Sequence, residues 1–295
     1  MQQIESGSFY FTLGLLLQKG IRYSTVVDVG CADGSFFMSC LAMGILPDAV
    51  PLNIDANELY RDSLKAIKDV VGGDYRICAA TDHEGEIELT MSAHPYWSSL
   101  RPEGDIYWQR INQLRATTVK VPATKLDTLR HQLGLKPPFL LKLDVQGAEA
   151  SVLRGASKLL EDTHVVICEA DLDDFQDLNA ALTQHGFELY DATHLSRLRD
   201  GSLGWFHPIY INRKIESVRP KNFWDSSESS GIIQSQQTRR QAILQSNAEI
   251  LRWIQQQKKL TTAGAKTAPA IATRRNERCH CGSGLKYKHC CGANT

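Results

Sequence analysis

Residues 25–36 read TVVDVGCADGSF, and this stretch decides the fold. An apolar, β-branched run leads to Asp28-Val29-Gly30, and a helical pattern opens after Gly34, so the stretch predicts a strand, a glycine turn and a helix. The two glycines let the backbone approach a ligand at the carboxyl end of a first parallel strand, where the following helix presents free N–H groups. The stretch therefore predicts a nucleotide site in an α/β fold.

The loop in this stretch carries two carboxylates and has the spacing D-x-G-x-x-D-G, not the G-x-G-x-x-G of a dinucleotide site. Asp28 and Asp33 would repel a diphosphate, so the expected ligand is a nucleoside without phosphates. S-adenosylmethionine fits, because its ribose hydroxyls and amino group are donors and its sulfonium is cationic. The next predicted strand, 49–54, ends in Asp55, which we expect to accept hydrogen bonds from the ribose diol. The predicted cofactor site thus contains Asp28, Gly30, Asp33, Gly34 and Asp55.

A third predicted strand, 75–80, stops at Thr81-Asp82. We expect one of these two side chains to meet the adenine edge of the cofactor, the alternative being an ordinary polar loop. Residues 83–125 are less regular, with two short strand patterns at 86–91 and 117–122. Because long loops in compact domains are usually functional or disordered, we expect an insertion over the mouth of the cofactor site.

Bulk properties divide the chain in two. It has 295 residues, enough for one core of about 200 residues and an appendage. Residues 1–212 hold 18 basic and 28 acidic side chains, whereas residues 213–295 hold 15 basic and 5 acidic ones. No run of about 18 apolar residues is present, and the apolar stretch 9–17 lacks the flanks of a signal peptide. These patterns predict a soluble, cytoplasmic protein with a basic tail.

A second informative stretch is FLLKLDVQGAEASVLRG at 139–155. Its first five residues predict a buried central strand, on which Lys142 and Asp144 share one face because side chains alternate with period two. Another buried strand, 165–168, ends in Glu169. Two carboxylates are therefore expected at the carboxyl ends of adjacent strands, at the edge where open α/β sheets bind ligands.

Residues 10–213 resemble the FkbM family of S-adenosylmethionine-dependent methyltransferases, and the KLDVQGAE stretch is the most specific part of the match. The family commonly has Glu where this chain has Gln146, and Glu-Pro where it has Asp55-Ala56. The resemblance rests on DVGCADGSF at 28–36, the strand ending in Asp55, WSSL at 97–100, TKLDTL at 124–129, LLKLDVQGAEASVLRGA at 140–156 and GFELYDATHLSRLRDGSLGWFHPIYINR at 186–213.

This resemblance implies a Rossmann-like, seven-stranded methyltransferase sheet that closes with antiparallel strands at 187–190 and 207–212. It also implies O-methylation, with sugars, polyketides or lipids as acceptors in relatives. A hydroxyl acceptor has to lose its proton, and the candidate catalytic residues are Asp144 and Glu169 as general bases and Lys142 as their charge partner or as a donor to the substrate. His194 and His207 are reserve bases. For each carboxylate the alternative is a structural role, such as capping a loop N–H.

The last module reads RCHCGSGLKYKHCCG at 278–292 and closely resembles the SEC-C motif, a zinc-binding tail. Its C-x-C-x8-C-C spacing brings four soft ligands within reach of one tetrahedral ion. We expect Cys279, Cys281, Cys290 and Cys291 to hold a structural Zn²⁺, with His280 or His289 as substitutes for one cysteine. So short a module buries almost no core and must draw its stability from the metal.

The predicted organisation is a methyltransferase domain at 1–215, a linker at 216–237, an amphipathic helix at 238–260, a second linker at 261–273 and the zinc motif at 274–293. Three functions remain open. The first is an O-methyltransferase for a small molecule or glycan, whose tail recruits a protein partner. The second is a nucleic-acid- or ribosome-associated methyltransferase that uses the basic tail, although an acidic domain opposes phosphates in its cleft. The third is a non-catalytic cofactor-binding adaptor.

Overall fold

The main sheet of this computed structural model, which describes residues 7–91 and 117–215, is largely parallel. Seven strands follow one another in the order β10-β11-β8-β7-β1-β2-β3, and a short strand, β9, pairs with β11. The strands are β1 (Thr25–Val29), β2 (Val50–Asp55), β3 (Asp74–Ile77), β7 (Phe139–Leu143), β8 (Thr163–Cys168), β9 (Ala170–Asp171), β10 (Phe187–Thr193) and β11 (Trp205–Asn212).

The sequence-based prediction of a seven-stranded methyltransferase sheet is confirmed. Strands β3, β2, β1, β7 and β8 pair in parallel, and β11 inserts antiparallel between β8 and β10. All five strands of the parallel part therefore end at one edge, where β10 also ends and β11 begins.

Helices cover both faces of this sheet. Ser8 caps the first helix by accepting a hydrogen bond from the N–H of Phe11 at 3.2 Å. The helices are α1 (Phe9–Gln18), α2 (Ser35–Ala42), α3 (Arg61–Val71), α4 (Leu126–Leu133), α5 (Glu149–Arg154), α6 (Ser157–Glu161) and α7 (Leu172–Gln184), with a 3₁₀ turn at Glu58–Tyr60. None of the helices in the described ranges combines the length and apolarity that a membrane crossing requires.

A second, three-stranded sheet stands beside the main one. It contains β4 (Ala79–Ala80), β5 (Gly85–Met91) and β6 (Thr117–Thr124), in the order β4-β6-β5. The prediction of a single strand at 75–80 is therefore wrong in detail. The chain pairs in the main sheet up to Ile77 and in the second sheet from Ala79. The strands predicted at 86–91 and 117–122 pair antiparallel with each other. Residues 92–116, including WSSL at 97–100, lie outside the described residues.

Two apolar layers sandwich the main sheet. Side chains alternate along each strand, so Val27, Leu141 and Val166 face a core under α4, α5 and α7. Val26, Leu140 and Val165 face the opposite core, which α1 and α2 cover. We call this second side the α1 face, and it carries the polar residues described below.

By internal packing the chain divides into two units, Met1–Arg219 and Pro220–Thr295. The described residues belong to the first unit. The linkers at 216–237 and 261–273, the helix at 238–260 and the zinc motif at 274–293 all lie outside the described residues and stay predictions.

Candidate active site

Four residues from four neighbouring strands lie side by side at the carboxyl edge of the main sheet. The N–H of Asp144 donates to the carbonyl of Val29 at 3.0 Å, and the N–H of Glu169 donates to that of Leu143 at 2.8 Å. The antiparallel register of β11 on β8 and β9 places His207 opposite Glu169. We call the set Gly30, Asp144, Glu169 and His207 the edge row. The sequence predicted the adjacency of Asp144 and Glu169, and the strand pairing brings it about.

Lys142 lies one step behind the edge row on the α1 face and is nearly fully buried. Its Nζ lies 3.0 Å from Oδ2 of Asp144 and 3.5 Å from Oδ1 of Asp28. Burial acts to lower the pKa of Lys142, but the two carboxylates outweigh burial and raise it. Lys142 is therefore a cation held between two acids. Its contact with Asp144 agrees with the predicted pairing, whereas its second partner is Asp28 and not Glu169.

Asp28 lies in the interior of β1 with no exposed surface. Among the described residues neither of its oxygens accepts a hydrogen bond, and its contact with Lys142 is an ion pair. Burial raises the pKa of Asp28 to about 6 against the pull of the Lys142 charge. Asp28 is not among the residues that line the cavity described below. In the structure Asp28 supports Lys142 from beneath, and its contact with a cofactor stays a prediction.

Asp144 and Glu169 form a coupled acid pair that Gln146 bridges. The side-chain Nε2 of Gln146 lies 3.3 Å from Oδ1 of Asp144 and donates to Oε2 of Glu169. Burial and the Asp144 charge raise the pKa of Glu169. Burial also acts to raise the pKa of Asp144, but Lys142 outweighs it and lowers that pKa. The shared environment therefore moves the two pKa values apart, with Asp144 biased toward its ionised form and Glu169 toward its protonated form.

Gln146 has a positive φ of 54°, which places its amide over the acid pair. A glutamate at position 146, which the resemblance to the FkbM family would lead one to expect, would bring a third carboxylate against Asp144 and Glu169. The amide of Gln146 instead donates to both acids. Gln146 is thus a positioning residue that orients both acids through its amide group.

An aromatic wall continues the edge row from His207. Phe9 at the start of α1 contacts the ring of His194 edge-on with centroids 4.2 Å apart, and His194 contacts His207 at 5.3 Å. Tyr10 and Phe36 extend this wall, with rings stacked at 6.1 Å. Burial lowers the pKa of His207 to about 4, so its imidazole is neutral at pH 7. His207 therefore adds no positive charge beside the acid pair at neutral pH.

A cavity of about 450 Å³ lies between the acids and the glycine loop. At one end it meets Lys142, Asp144, Gln146, Glu169 and the aromatic wall. At the other end it is lined by Gly30, Cys31, Ala32, Asp55, Ala56, Tyr60, Cys78, Ala79, Ala80 and Leu89. We call these the acceptor end and the cofactor end.

The cofactor end is organised by Asp55 at the end of β2. Its Oδ2 accepts from the N–H of Ala32, and its Oδ1 accepts from the N–H of Asn57, each at 2.8 Å. Burial raises the pKa of Asp55 although these hydrogen bonds oppose the shift. Each oxygen keeps a second lone pair for a ligand hydroxyl. The position of Asp55 therefore agrees with the ribose contact predicted for it.

Gly30 closes the loop against the next strand. Its φ is +73°, and a Cβ at this position would lie 1.9 Å from the carbonyl oxygen of Asp144. Only glycine lets β1 and β7 approach each other at this point. Gly30, which was predicted to let a ligand approach the backbone, thus also lets β1 and β7 lie close together where the two ends of the cavity meet.

Asp33 and Gly34, which were also predicted as cofactor residues, lie outside the cavity lining. Oδ1 of Asp33 accepts from the N–H of Ser35 at 3.1 Å, and Gly34 begins α2 with φ +81°. A Cβ on Gly34 would lie 2.4 Å from Cδ1 of Ile67. In the structure both residues shape the start of α2, and their contact with a cofactor stays a prediction.

Thr81 and Asp82 likewise lie beside the cavity and not in its lining. The hydroxyl of Thr81 donates to the carbonyl of His83 at 2.9 Å. Oδ2 of Asp82 lies 2.8 Å from Nε of Arg154, and hydrogen bonds from His83 and Arg154 hold the pKa of Asp82 at about 2. The lining residues at this point are Ala79 and Ala80 instead. An apolar wall of this kind suits a flat ring, whereas the adenine contact of Thr81 or Asp82 stays untested.

Sequence reasoning missed the residues that only the fold brings to the cavity. Phe9 and Tyr10 belong to the apolar stretch 9–17, and no motif marks them as lining residues. Tyr60 comes from the 3₁₀ turn after Asp55, and Leu89 comes from the second sheet. His194 and His207, named as reserve bases, do reach the cavity.

The donor and acceptor set of the cavity fits a cationic nucleoside. Three acids line it, Asp55, Asp144 and Glu169, and the Lys142 cation that accompanies them is already paired. A phosphate would meet this acidic surface with no free cation among the lining residues, whereas a sulfonium would be attracted to it. The residues present therefore fit S-adenosylmethionine.

The described residues contain no cluster of three or more His, Cys, Asp or Glu side chains that could hold a metal ion. Cys31, Cys40, Cys78 and Cys168 are buried, free thiols. The predicted zinc ligands Cys279, Cys281, Cys290 and Cys291 lie outside the described residues.

Comparisons with known proteins agree with this geometry. The family model for the methyltransferase FkbM domain matches residues 35–189, and the model for the SEC-C motif matches residues 275–293. No curated protein matches the chain.

Solved structures of methyltransferases resemble the chain at low identity. The methyltransferase FkbM from Methylobacillus flagellatus KT is 14% identical, with a TM-score of 0.41, over 64% of this chain and 43% of that one. The chain thus spans less than half of that protein. The precorrin-6y C5,15-methyltransferase from Geobacter metallireducens GS-15 is 14% identical, with a TM-score of 0.36, over 68% of this chain and 87% of that one. The FkbM domain model matches residues 35–189, which is more than half of the 295 residues of this chain. The chain therefore belongs to the FkbM methyltransferase family.

Proposed function

We propose that this chain, an S-adenosylmethionine-dependent methyltransferase, methylates a hydroxyl oxygen of a small molecule or glycan. The observation that carries the proposal is the pair Asp144 and Glu169, two acids on adjacent strands that Gln146 bridges at the acceptor end of the cavity. Transfer to a hydroxyl requires a group that removes a proton, and this pair supplies one.

The cofactor end offers the contacts that S-adenosylmethionine needs. Asp55 would accept from the ribose hydroxyls, and the backbone of Gly30–Ala32 would approach the ligand closely. Ala79 and Ala80 would face the adenine ring. When bound, the cofactor supplies a methyl carbon on a cationic sulfur, which the acceptor oxygen displaces.

We assign the general-base role to Glu169. Burial and the Asp144 charge raise the pKa of Glu169 to about 9, so its ionised form is a stronger base than an ordinary carboxylate. This ionised form, whose share grows as pH rises, takes the proton of the acceptor hydroxyl as the oxygen–carbon bond forms. Asp144, which Lys142 keeps ionised, is the weaker base and serves to accept a hydrogen bond that orients the hydroxyl.

Holding the acceptor in line is the other contribution of the site. Positioning of two reactants is worth about 7 to 11 kcal/mol of barrier when the reacting atoms are aligned. Gln146 fixes the two acids relative to each other, and the aromatic wall packs beside them from His207 to Phe9. The chain thus provides orientation and proton removal.

The test is methyl transfer from labelled cofactor into cell extracts fractionated as glycan, lipid, protein and RNA. We expect label in the glycan or small-molecule fractions, lost in Glu169→Gln. Label that enters only protein or RNA would contradict the proposal. A bell-shaped or rising pH–rate profile that Asp144→Asn shifts to lower pH would support Glu169 as base, because the variant removes the charge that helps to raise its pKa.

We further propose that the tail binds one structural Zn²⁺ and recruits a protein partner. The support is the SEC-C match at 275–293 together with the four cysteines it contains. The test is metal analysis of the purified full chain and of a variant with Cys279→Ser and Cys281→Ser. We expect one zinc per chain, lost in the variant, with cofactor affinity unchanged. A zinc-free wild-type chain would refute the ligand set.

A nucleic-acid- or ribosome-associated role is the second candidate function. The observation that favours it is the excess of basic residues after residue 212, including Arg274, Arg275, Arg278, Lys286 and Lys288 near the cysteines. Binding of labelled RNA by the full chain, with a steep dependence on salt, would support it. Equal binding at low and high salt would count against phosphate contacts.

A further inference from the structure

Beyond the edge row, one more pair of residues stands on the main sheet. Strands β9 and β11 pair antiparallel, with Phe206 opposite Ala170 and Trp205 opposite Asp171. Trp205 precedes His207 by two residues, and Asp171 follows Glu169 by two. We call Trp205 and Asp171 the outer pair. It stands about 6 to 7 Å beyond the edge row, the rise of two strand residues.

The outer pair shares the α1 face with the acids. Phe206 and Ala170 are buried in the core on the opposite side of the sheet. Because side chains alternate along a strand, their neighbours Trp205 and Asp171 project to the same side as His207 and Glu169. The outer pair is therefore the next layer of the acceptor end, just past the residues that line the cavity.

Trp205 is a large apolar residue left 47% exposed. Its backbone is fixed, since its carbonyl accepts from the N–H of Ser196 at 2.9 Å and its strand pairs with β9. A tryptophan ring held on a rigid strand gives a flat surface for stacking at low entropic cost. Exposure of the ring is thus the arrangement expected of a binding platform.

Asp171 provides an acceptor beside this platform. As the N-cap of α7, its Oδ1 accepts from the N–H groups of Asp173 and Asp174 at 3.0 and 2.9 Å. No hydrogen bond to Oδ2 is found among the described residues, so this oxygen is open to a ligand. Carboxylate oxygens accept from hydroxyls, and an aromatic face packs on C–H groups.

We propose that Trp205 and Asp171 form an acceptor subsite for a saturated ring that carries hydroxyls, with the ring stacked on Trp205 and one hydroxyl donating to Asp171. A pyranose spans the distance between the outer pair and the edge row, so its far hydroxyl reaches Glu169. The subsite rests on the proposed function for its reacting group, but ring binding can be measured without methyl transfer.

The experiment is saturation-transfer NMR and titration of the full chain with methyl α-D-glucopyranoside, methyl α-D-mannopyranoside and methyl α-D-galactopyranoside. Tetrahydropyran, a ring without hydroxyls, and phenol, a planar ring with one hydroxyl, are the comparison probes. The variants are Trp205→Ala, Trp205→Phe and Asp171→Asn. Leu189→Ala is the matched control, because Leu189 is 46% exposed on β10 and lies outside the cavity lining.

We expect at least one glycoside to bind, with roughly tenfold weaker binding in Trp205→Ala. Asp171→Asn should weaken binding less, and Trp205→Phe and Leu189→Ala should bind nearly as the wild type does. The proposal is overturned if no glycoside binds the wild type, if Trp205→Ala binds as well as the wild type, or if tetrahydropyran or phenol binds more tightly than the glycosides.

Methyl transfer and cofactor calorimetry on the same preparations separate this inference from the proposed function. Hydroxyl methylation that Trp205→Ala leaves unaffected would reject the subsite and keep the function. Glycoside binding through Trp205 without methyl transfer to any hydroxyl would keep the subsite and reject the function.

Discussion

The two ends of the cavity are built by different means. At the cofactor end, Asp55 binds backbone N–H groups within a short length of chain. At the acceptor end, Lys142, Asp144 and Glu169 hold one another through charge, and they reach the site on two separate strands. Backbone hydrogen bonds fix a shape, whereas coupled charges also set protonation. Changes at the cofactor end should therefore alter affinity, and changes at the acceptor end should alter rate and its pH dependence.

The largest expected effect is at the acceptor end. Glu169→Gln keeps the size of the side chain and removes the proton acceptor, so turnover should fall by roughly 10² to 10⁴. Cofactor affinity, measured by calorimetry, should stay within about twofold because Glu169 has no contact with the glycine loop among the described residues. If both quantities fell together, Glu169 would be a support of the cavity and the division between its ends would fail.

The next effect tests where the two ends join. Gly30→Ala places a Cβ against a backbone oxygen of Asp144 and forces a left-handed conformation, which together should cost about 3 kcal/mol of unfolding free energy. Denaturant unfolding measures this cost. Gly34→Ala is the matched control, since Gly34 has a similar φ but its added Cβ would meet side-chain atoms of Ile67, Leu64 and Asn53 and no backbone atom within 4 Å among its three nearest neighbours. We expect a smaller loss there, and equal losses would mean that the approach of β1 to β7 is not the cause.

A third change isolates the cofactor end. Asp55→Ala removes the acceptor for two loop N–H groups and for the ribose, so cofactor binding should weaken by about 1.5 to 3 kcal/mol. At saturating cofactor the turnover should change little, because the acid pair is intact. Unchanged affinity in calorimetry would remove Asp55 from the cofactor site.

The smallest effect concerns the buried support beneath Lys142. The pKa of Asp28 is raised by burial from its ordinary value of 3.8 to about 6, so the folded state binds its proton more tightly than the unfolded state does. The stability that this gives is fully present below the unfolded pKa of 3.8 and is lost as pH rises through about 6.

Unfolding of the wild type and of Asp28→Asn between pH 4 and pH 7 measures the contribution. Lys142 keeps Asp144 as a partner in the variant. We expect the difference between the two proteins to change across that window. A constant difference would show that Asp28 titrates as it does in the unfolded chain.

How much the sequence predicts depends on the range of the interaction. The strand, glycine turn and helix at 25–36 follow from local residues, and so does the position of Asp55 at the end of its strand. Asp144 and Glu169 were predicted to be adjacent because each ends a buried strand. The pairing of Lys142 with Asp28 needs the register of β1 on β7, which no local pattern contains.

The change from the main sheet at β3 to the second sheet at β4 could also not be predicted from the sequence. Residues 75–80 read as one continuous strand, and only the pairing of Ala79 with Ala123 reveals the change of sheet. That change puts Ala79 and Ala80 in the cavity wall, ahead of the polar Thr81 and Asp82. The aromatic wall is likewise assembled from α1 and β11, which lie at opposite ends of the domain sequence.

The side-by-side arrangement of the edge row has an evolutionary consequence. A single-residue insertion or deletion within β8 would turn Cys168 or Ala170 toward the α1 face in place of Glu169, because the face alternates with every residue. The apolar run Val165–Cys168 would still satisfy a buried strand, so such a chain would retain a core while losing the acid pair. Lineages of this fold should therefore tolerate substitutions in β8 far more readily than changes in its length.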